Sequence, residues 1–214
     1  MSTASPAPDR RASLKARHRE AILDAADALI SERDEARFSV DELAERADIS
    51  RRTVFNHFAS LDDVVMTACT RVLTAAVDEF WAATEATPVG DGSRAALFDE
   101  FTTAMRAIDL PTVVSYLTRV LGPDEADPRS HHLVQDVFTR TADQVATAAA
   151  GRSSEVDQLD AEILTSSMMN GLGVIAHRWI RETGGTLDAA SRAVWNDLLD
   201  RLIATVRRGY APAP

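Results

Sequence analysis

The sequence predicts an all-α fold of about nine helices. Two observations carry this. Apolar residues recur at the three-to-four spacing of buried helical stripes along most of the 214 residues, and no convincing run alternates apolar with polar residues as a half-buried strand would. Capping residues and Pro/Gly-rich breaks then set the boundaries of the individual helices.

The first helix is expected over about 14–32, with Ile22, Ala26, Leu29 and Ile30 forming a buried stripe. A short second helix starts at Ser39, where "SVDE" reads as a capping box, Ser39 accepting from the amide three residues on and Glu42 reaching back. It ends near Ala47. Ser50 caps a third helix that stops near His57 or Phe58, and Ser60 caps a long fourth one. Asp62 and Asp63 stand in the first turn of that helix, where the dipole favours acids. "TPVGDGS" at 87–93 is a break. Helices follow at about 94–108, 111–121 and 130–150, then two long ones at about 155–182 and 187–208 around the "TGGT" turn. Gly209 stands where a C-terminal glycine ends a helix. Asn170 and Gly171–Gly173 are expected to interrupt the penultimate helix, as close packing or a kink.

Composition narrows the classes of function. Hydrophobic residues at 45% and charged residues at 26% are ordinary for a globular protein large enough to bury a core. No apolar stretch is long enough to span a bilayer, and the N-terminus lacks the apolar core of a secretory signal. Cys69 is the single cysteine, so neither a disulfide framework nor a cysteine metal cluster is expected, and the cytoplasm is the default location. On helix four Cys69 reads as a small core residue. His131 and His132, with only Asp127 nearby, read as a solvated cap and not as metal ligands. The net charge is −10, yet residues 10–19 carry Arg10, Arg11, Lys15, Arg17 and Arg19 without an acid. A basic arm on an acidic body points to an anionic partner that the body would repel.

Helices two and three supply the constellation that carries function. Two short helices joined by about three residues, the first packing and the second polar, describe a helix-turn-helix. Leu43, Ala47, Ile49 and Val54 are apolar where the helices must meet, and Ala44 is small where they cross. Asp48 falls where the turn requires a positive φ, which Asp tolerates better than most residues. Exposed on the second helix are Arg51, Arg52, Thr53, Asn56 and His57, side chains suited to base edges and phosphates in a DNA major groove.

Residues about 14 to 64 resemble the DNA-binding domain of the tetracycline-repressor (TetR) family of transcriptional regulators. The stretch "SVDELAERADISRRTVFNHFASLDDV" follows the family pattern over 26 positions: a Thr/Ser cap, apolar-Ala, Ala-Gly-Val-Ser, then apolar-Tyr-x-His-Phe and a Lys. It departs from that pattern at Asp48 for Gly, at Phe55 for Tyr and at Leu61 for Lys. The last two replacements remove phosphate contacts, which set affinity and its salt dependence more than sequence choice. Lys15, Arg17 and Arg19 are expected to compensate. The resemblance implies DNA contacts by Ser39, Ser50, Arg51, Arg52, Thr53, Phe55, Asn56 and His57.

It also implies an organisation: a basic arm at 1–13, the DNA-binding domain at 14–59, a helical ligand-binding and dimerisation domain at 60–208, and a tail at 209–214. A pocket for a small apolar or aromatic inducer is expected from Phe80, Trp81, Phe98, Phe101, Met105, Tyr116, Phe138, Met168, Met169 and His177. A homodimer interface is expected from Leu164, Trp179, Leu187, Val194, Trp195, Leu198 and Leu202, on faces that a monomer would expose at a cost. The implied mechanism is repression of a palindromic operator, released when ligand favours a form with wrongly spaced DNA-binding domains. No cofactor or metal is expected. An enzyme is disfavoured because no histidine has an acid three residues before it and no nucleophile elbow, zinc helix or phosphate loop is present. The rival reading is a ligand-binding helical dimer whose degenerate helix-turn-helix no longer reads specific DNA.

Overall fold

The computed structural model describes residues 10–33, 37–88, 90–121, 139–140, 142–148, 150–151 and 155–210. Among them every regular element is a helix: α1 Arg10–Arg33, α2 Val40–Arg46, α3 Arg51–His57, α4 Leu61–Ala86, α5 Arg94–Ala107, α6 Leu110–Leu121, a helical stretch α7 that includes 142–148, α8 Gln158–Thr183 and α9 Ala189–Tyr210. His131, His132, Asp127 and Phe138 lie outside the described residues. The chain divides into two compact units, Met1–Arg71 with Arg119–Pro123, and Val72–Thr118 with Asp124–Pro214.

In the first unit, Ile22, Leu23, Ala26 and Leu29 of α1 pack with Leu43 and Ala44 of α2, Val54 of α3, Phe58, and Val64 and Ala68 of α4. The predicted caps are present. Ser39 Oγ accepts from Glu42 N at 3.2 Å while Glu42 Oε2 accepts from Ser39 N at 2.7 Å. Ser50 Oγ accepts from Thr53 N at 3.1 Å, and Ser60 Oγ from Asp63 N at 3.1 Å. Asp48 has φ +52°, the left-handed turn its position requires. Arg71 on α4 is bound by three α1 carboxylates one helical turn apart: Glu20 at 3.1 Å, Asp24 at 2.8 Å, and Asp27.

The core of the second unit joins Phe80, Phe98, Phe101, Met105, Val145, Leu164, Met168, Leu172, Ile175, Trp179, Trp195, Leu198 and Ile203. Trp179 and Trp195 meet edge-to-face at 5.5 Å between centroids, and Trp179 Nε1 donates to Ser191 O at 2.9 Å. Three local expectations are corrected. α8 runs unbroken through Asn170 and Gly171–Gly173. Of the two readings, close packing holds at Gly171, where a Cβ would stand 2.2 Å from Leu202 Cδ1 of α9. α9 continues past Gly209 to Tyr210, because Gly209 does not take up the positive φ that ends a helix, whereas Gly184 with φ +71° does end α8. Leu187 precedes α9 and does not lie on it.

The strained turn yields a stability prediction. Asp48→Val should lower unfolding free energy by about 1–2 kcal/mol, because a β-branched residue tolerates a left-handed φ poorly, while Asp48→Gly should lose nothing. Equal denaturation midpoints for the two variants would refute a strained turn at this residue.

Candidate nucleic-acid interface and ligand cavity

α3 is seven residues long, too short to persist alone, and its sequence divides cleanly into two sides. Val54 is 1% exposed and the C-cap Phe58 is 2% exposed, both in the core of the first unit. Arg51, Arg52, Phe55 and Asn56 are exposed, and Thr53 and His57 are half-buried. Ser39 and Ser50 are exposed at the two helix N-termini, but their hydroxyls act in capping. Thr53 Oγ1 lies 2.8 Å from Ser50 Oγ. Arg51 forms an ion pair with Asp41 at 3.2 Å, with both side chains mostly in water, so the pair is weak.

The N-terminal half of α1 runs beside α3. Ala12, Leu14, Lys15 and His18 form an open cleft with Thr53, Asn56 and His57. His18 and His57 meet edge-on at 5.8 Å. Partial burial and then the positive charge of His18, Lys15 and Arg19 hold the His57 imidazole below its usual pKa, so the neutral ring is favoured near pH 7. Lys15 and Arg17 are exposed. Arg19 departs from its expected role: its guanidinium lies 4.3 Å from the Phe58 ring centroid, and Nη1 donates to His57 O at 3.3 Å. It pins α1 to the end of α3 and does not point outward.

In the second unit an apolar cavity of about 80 Å³ is lined by Leu73, Ala76, Val77 and Phe80 of α4 and Phe101 and Met105 of α5. Ile108, Leu110, Val113, Val145, Met169 and Leu172 close it, and no polar atom reaches its surface. A smaller void of about 30 Å³ shares Phe80, Phe101 and Val145 and adds Trp81, Glu100 and Thr165. Phe80 and Phe101, edge-to-face at 5.4 Å, are common to both linings. Of the expected pocket residues, Phe80, Trp81, Phe101, Met105 and Met169 thus line a cavity. Phe98, Tyr116 and Met168 are buried but line neither of these two, and His177 is exposed on α8. His177 stands two residues from each of the buried Ile175 and Trp179, which turns it to the opposite side of α8. The aliphatic lining from Leu73, Ala76, Val77 and Val113 escaped sequence reading, which weighted aromatic residues and Met.

The expected interface residues behave differently as well. Leu164, Trp179, Trp195 and Leu198 are 4%, 0%, 2% and 9% exposed within one chain, and Leu187, Val194 and Leu202 pack against the same core. Leu164, Trp179, Trp195 and Leu198 are therefore intrachain core, while Leu187, Val194 and Leu202 stay half-buried at its edge. The apolar side chains that α8 leaves in water are Leu159, Ile163 and Val174. Cys69 is buried, and burial followed by the charge of Asp27 pushes its thiol up to about 12, an inert core residue. Among the described residues no cluster of three potential metal ligands occurs, and no helix is long and apolar enough to cross a membrane.

Comparison with known proteins follows the same division. The model for bacterial regulatory proteins of the tetR family matches residues 22–65, which hold α2, α3 and their packing partners. A TetR-family transcriptional regulator from Mesorhizobium loti is similar with a TM-score of 0.63 at 16% identity, over 89% of this chain and 97% of that one. One from Streptomyces coelicolor is similar with a TM-score of 0.55 at 17% identity, over 89% and 98%. The regulator FadR from Bacillus subtilis, in complex with stearoyl-CoA, has a TM-score of 0.54 at 12% identity, over 86% and 97%. At these identities the structural likeness concerns the fold. A comparison with curated proteins finds no match.

The capping box supplies a pH prediction. The hydrogen bond from Arg33, then those from the Ser39 amide and hydroxyl, lower the Glu42 pKa from 4.5 to about 2. A depressed carboxylate stabilises the fold above its unfolded pKa, and the contribution fades as pH falls through the folded value. Thermal melts of wild type and Glu42→Gln should differ at neutral pH and converge between pH 4.5 and about 2. A constant gap across that window would contradict the assignment.

Proposed function

We propose, for a chain whose residues 22–65 match the model of the tetR family of bacterial regulatory proteins, a homodimeric, ligand-responsive repressor that reads a palindromic operator in the cytoplasm. The observation that carries this reading is the outward polar face of α3, with Arg51, Arg52 and Asn56 in solvent while Val54 is sealed in the core. Arg bonds guanine edges and Asn bonds adenine edges, and a helix of this width fits the major groove. The basic residues of α1, Lys15 and Arg17, supply phosphate contacts that strengthen binding without choosing sequence. The degenerate-helix rival is disfavoured, because the departures at Phe55 and Leu61 leave that face and both its caps intact.

Reading a palindrome requires two recognition helices about 34 Å apart, hence two copies. The partner face we assign is the exposed side of α8, where Leu159, Ile163 and Val174 are 62%, 48% and 68% exposed. Ser166, Ser167 and Asn170 lie between them, and a Cβ at Gly173 would meet nothing within 4 Å. Small residues between apolar ones leave room for a second helix to approach closely.

The cavity supports a ligand that is apolar where it touches α4 and α5, since a polar group there would lose its hydrogen bonds to water without replacement. FadR, a fold neighbour, is in complex with stearoyl-CoA, and a long acyl chain is a body of this kind. At about 80 Å³ the cavity is far below the roughly 300 Å³ and upward that drug-sized ligands occupy. Ligand therefore selects a widened form, with Met105 and Met169 as the adaptable walls. Differential affinity for the widened form is what releases the operator.

Two measurements test the reading. In a gel shift with the promoter upstream of its own gene, wild type should retard the fragment specifically and Arg52→Ala should lose about 1–3 kcal/mol of that specificity. Retardation indifferent to sequence would favour the degenerate-helix rival. By sedimentation, wild type should be a dimer and Val174→Asp a folded monomer. A Val174→Asp variant that remains dimeric would move the interface elsewhere.

A further inference from the structure

We infer that Phe55 is a base-reading residue that commits each half-operator to a thymine at one fixed position. This rests on the DNA-reading proposal and deepens it.

Phe55 is 51% exposed on α3, on the flank next to the outward Arg52 and Asn56. Arg51 and Arg52 precede it by one turn and Asn56 follows it, so an aromatic ring stands amid side chains that all form hydrogen bonds. Its neighbours on the inner side, Val54 and Phe58, show that α3 has room for apolar burial and uses it. Phe55 is not taken into that core, and it does not line the cleft between α1 and α3. Large apolar side chains are exposed at few places among the described residues: Leu14, Phe55, Leu159, Ile163 and Val174. Leu14 belongs to the α1 cleft, and the last three share the exposed side of α8, which leaves Phe55 alone on the polar face.

The major groove presents hydrogen-bond donors, acceptors and one apolar group, the C5 methyl of thymine. A phenyl ring carried into the groove among Arg and Asn can form no hydrogen bond to cytosine, guanine or adenine edges. Over cytosine it would also desolvate the amino group. Over thymine it covers the methyl, so both surfaces leave water together. With no phenolic hydroxyl, Phe55 also has no means of bonding a phosphate oxygen. Methyl contact is thus the one favourable role for this side chain in the groove.

The test uses the full-length chain and operators selected from a random duplex pool. Each dT of the selected site is replaced singly by dU, which deletes only the methyl, and affinity is read by fluorescence anisotropy at fixed salt. One position per half-site should weaken about fourfold on this change, the equivalent of one buried methyl group. Phe55→Ala should weaken binding to the thymine duplex and no longer distinguish dT from dU at that position, with its thermal melt unchanged. The wild-type dT-to-dU series stands whether or not that variant folds. If no dU substitution matters, or if Phe55→Ala discriminates as wild type does, the assignment is overturned while sequence-specific binding stands. If the pool yields no specific sequence at all, the DNA-reading proposal falls and this assignment falls with it.

Discussion

Seven residues of helix do not hold themselves together in water, so every property of α3 depends on one packing event: the seating of Val54 and Phe58 against α1 and α2. Burying a valine side chain contributes about 1.5–3 kcal/mol, comparable to the cost of nucleating so short a helix. Its orientation follows from the same contact. With Val54 inward, the residues two positions away, Arg52 and Asn56, are turned to the far side, and Phe55 is carried onto the flank beside them. The small Ala44 and the left-handed Asp48 let α2 and α3 come close enough for this seating.

Local signals made this half of the molecule legible from sequence. Ser39, Ser50 and Ser60 announce helix starts through hydrogen bonds to amides three residues away, a relation the sequence displays directly. Asp48 could be read because few residue types suit a positive φ. The other half depended on contacts between distant segments. Trp179 and Trp195 read as faces that a lone chain would expose at a cost, yet each is the other's partner across the α8–α9 packing. The face α8 leaves open mixes Leu159, Ile163 and Val174 with Ser, Asn and Gly, too weak a stripe to compete with the tryptophans. Arg19 looked like a surface cation because its spacing cannot reveal that Phe58 lies beneath its guanidinium.

α4 enters two cores in turn. Val64 and Ala68 pack in the first, and Leu73, Ala76, Val77 and Phe80 wall the apolar cavity. The helix is unbroken from Leu61 to Ala86. Cys69 lies on α4 between these stretches, its thiol pushed up to about 12 by burial.

The charge along α1 is sorted by position. Cations occupy residues 10, 11, 15, 17 and 19, while Glu20, Asp24 and Asp27 follow and gather around Arg71. At 1.5 Å per residue the 24-residue helix is a rod of about 36 Å, electropositive at the end where its own backbone dipole is also positive. In the field of a polyanion such a rod feels a torque as well as a pull. For the operator-binding role proposed above, a chain that is strongly anionic as a whole would then meet its polyanionic partner with this end of α1 leading, and fewer collisions would be lost to wrong orientations at low ionic strength.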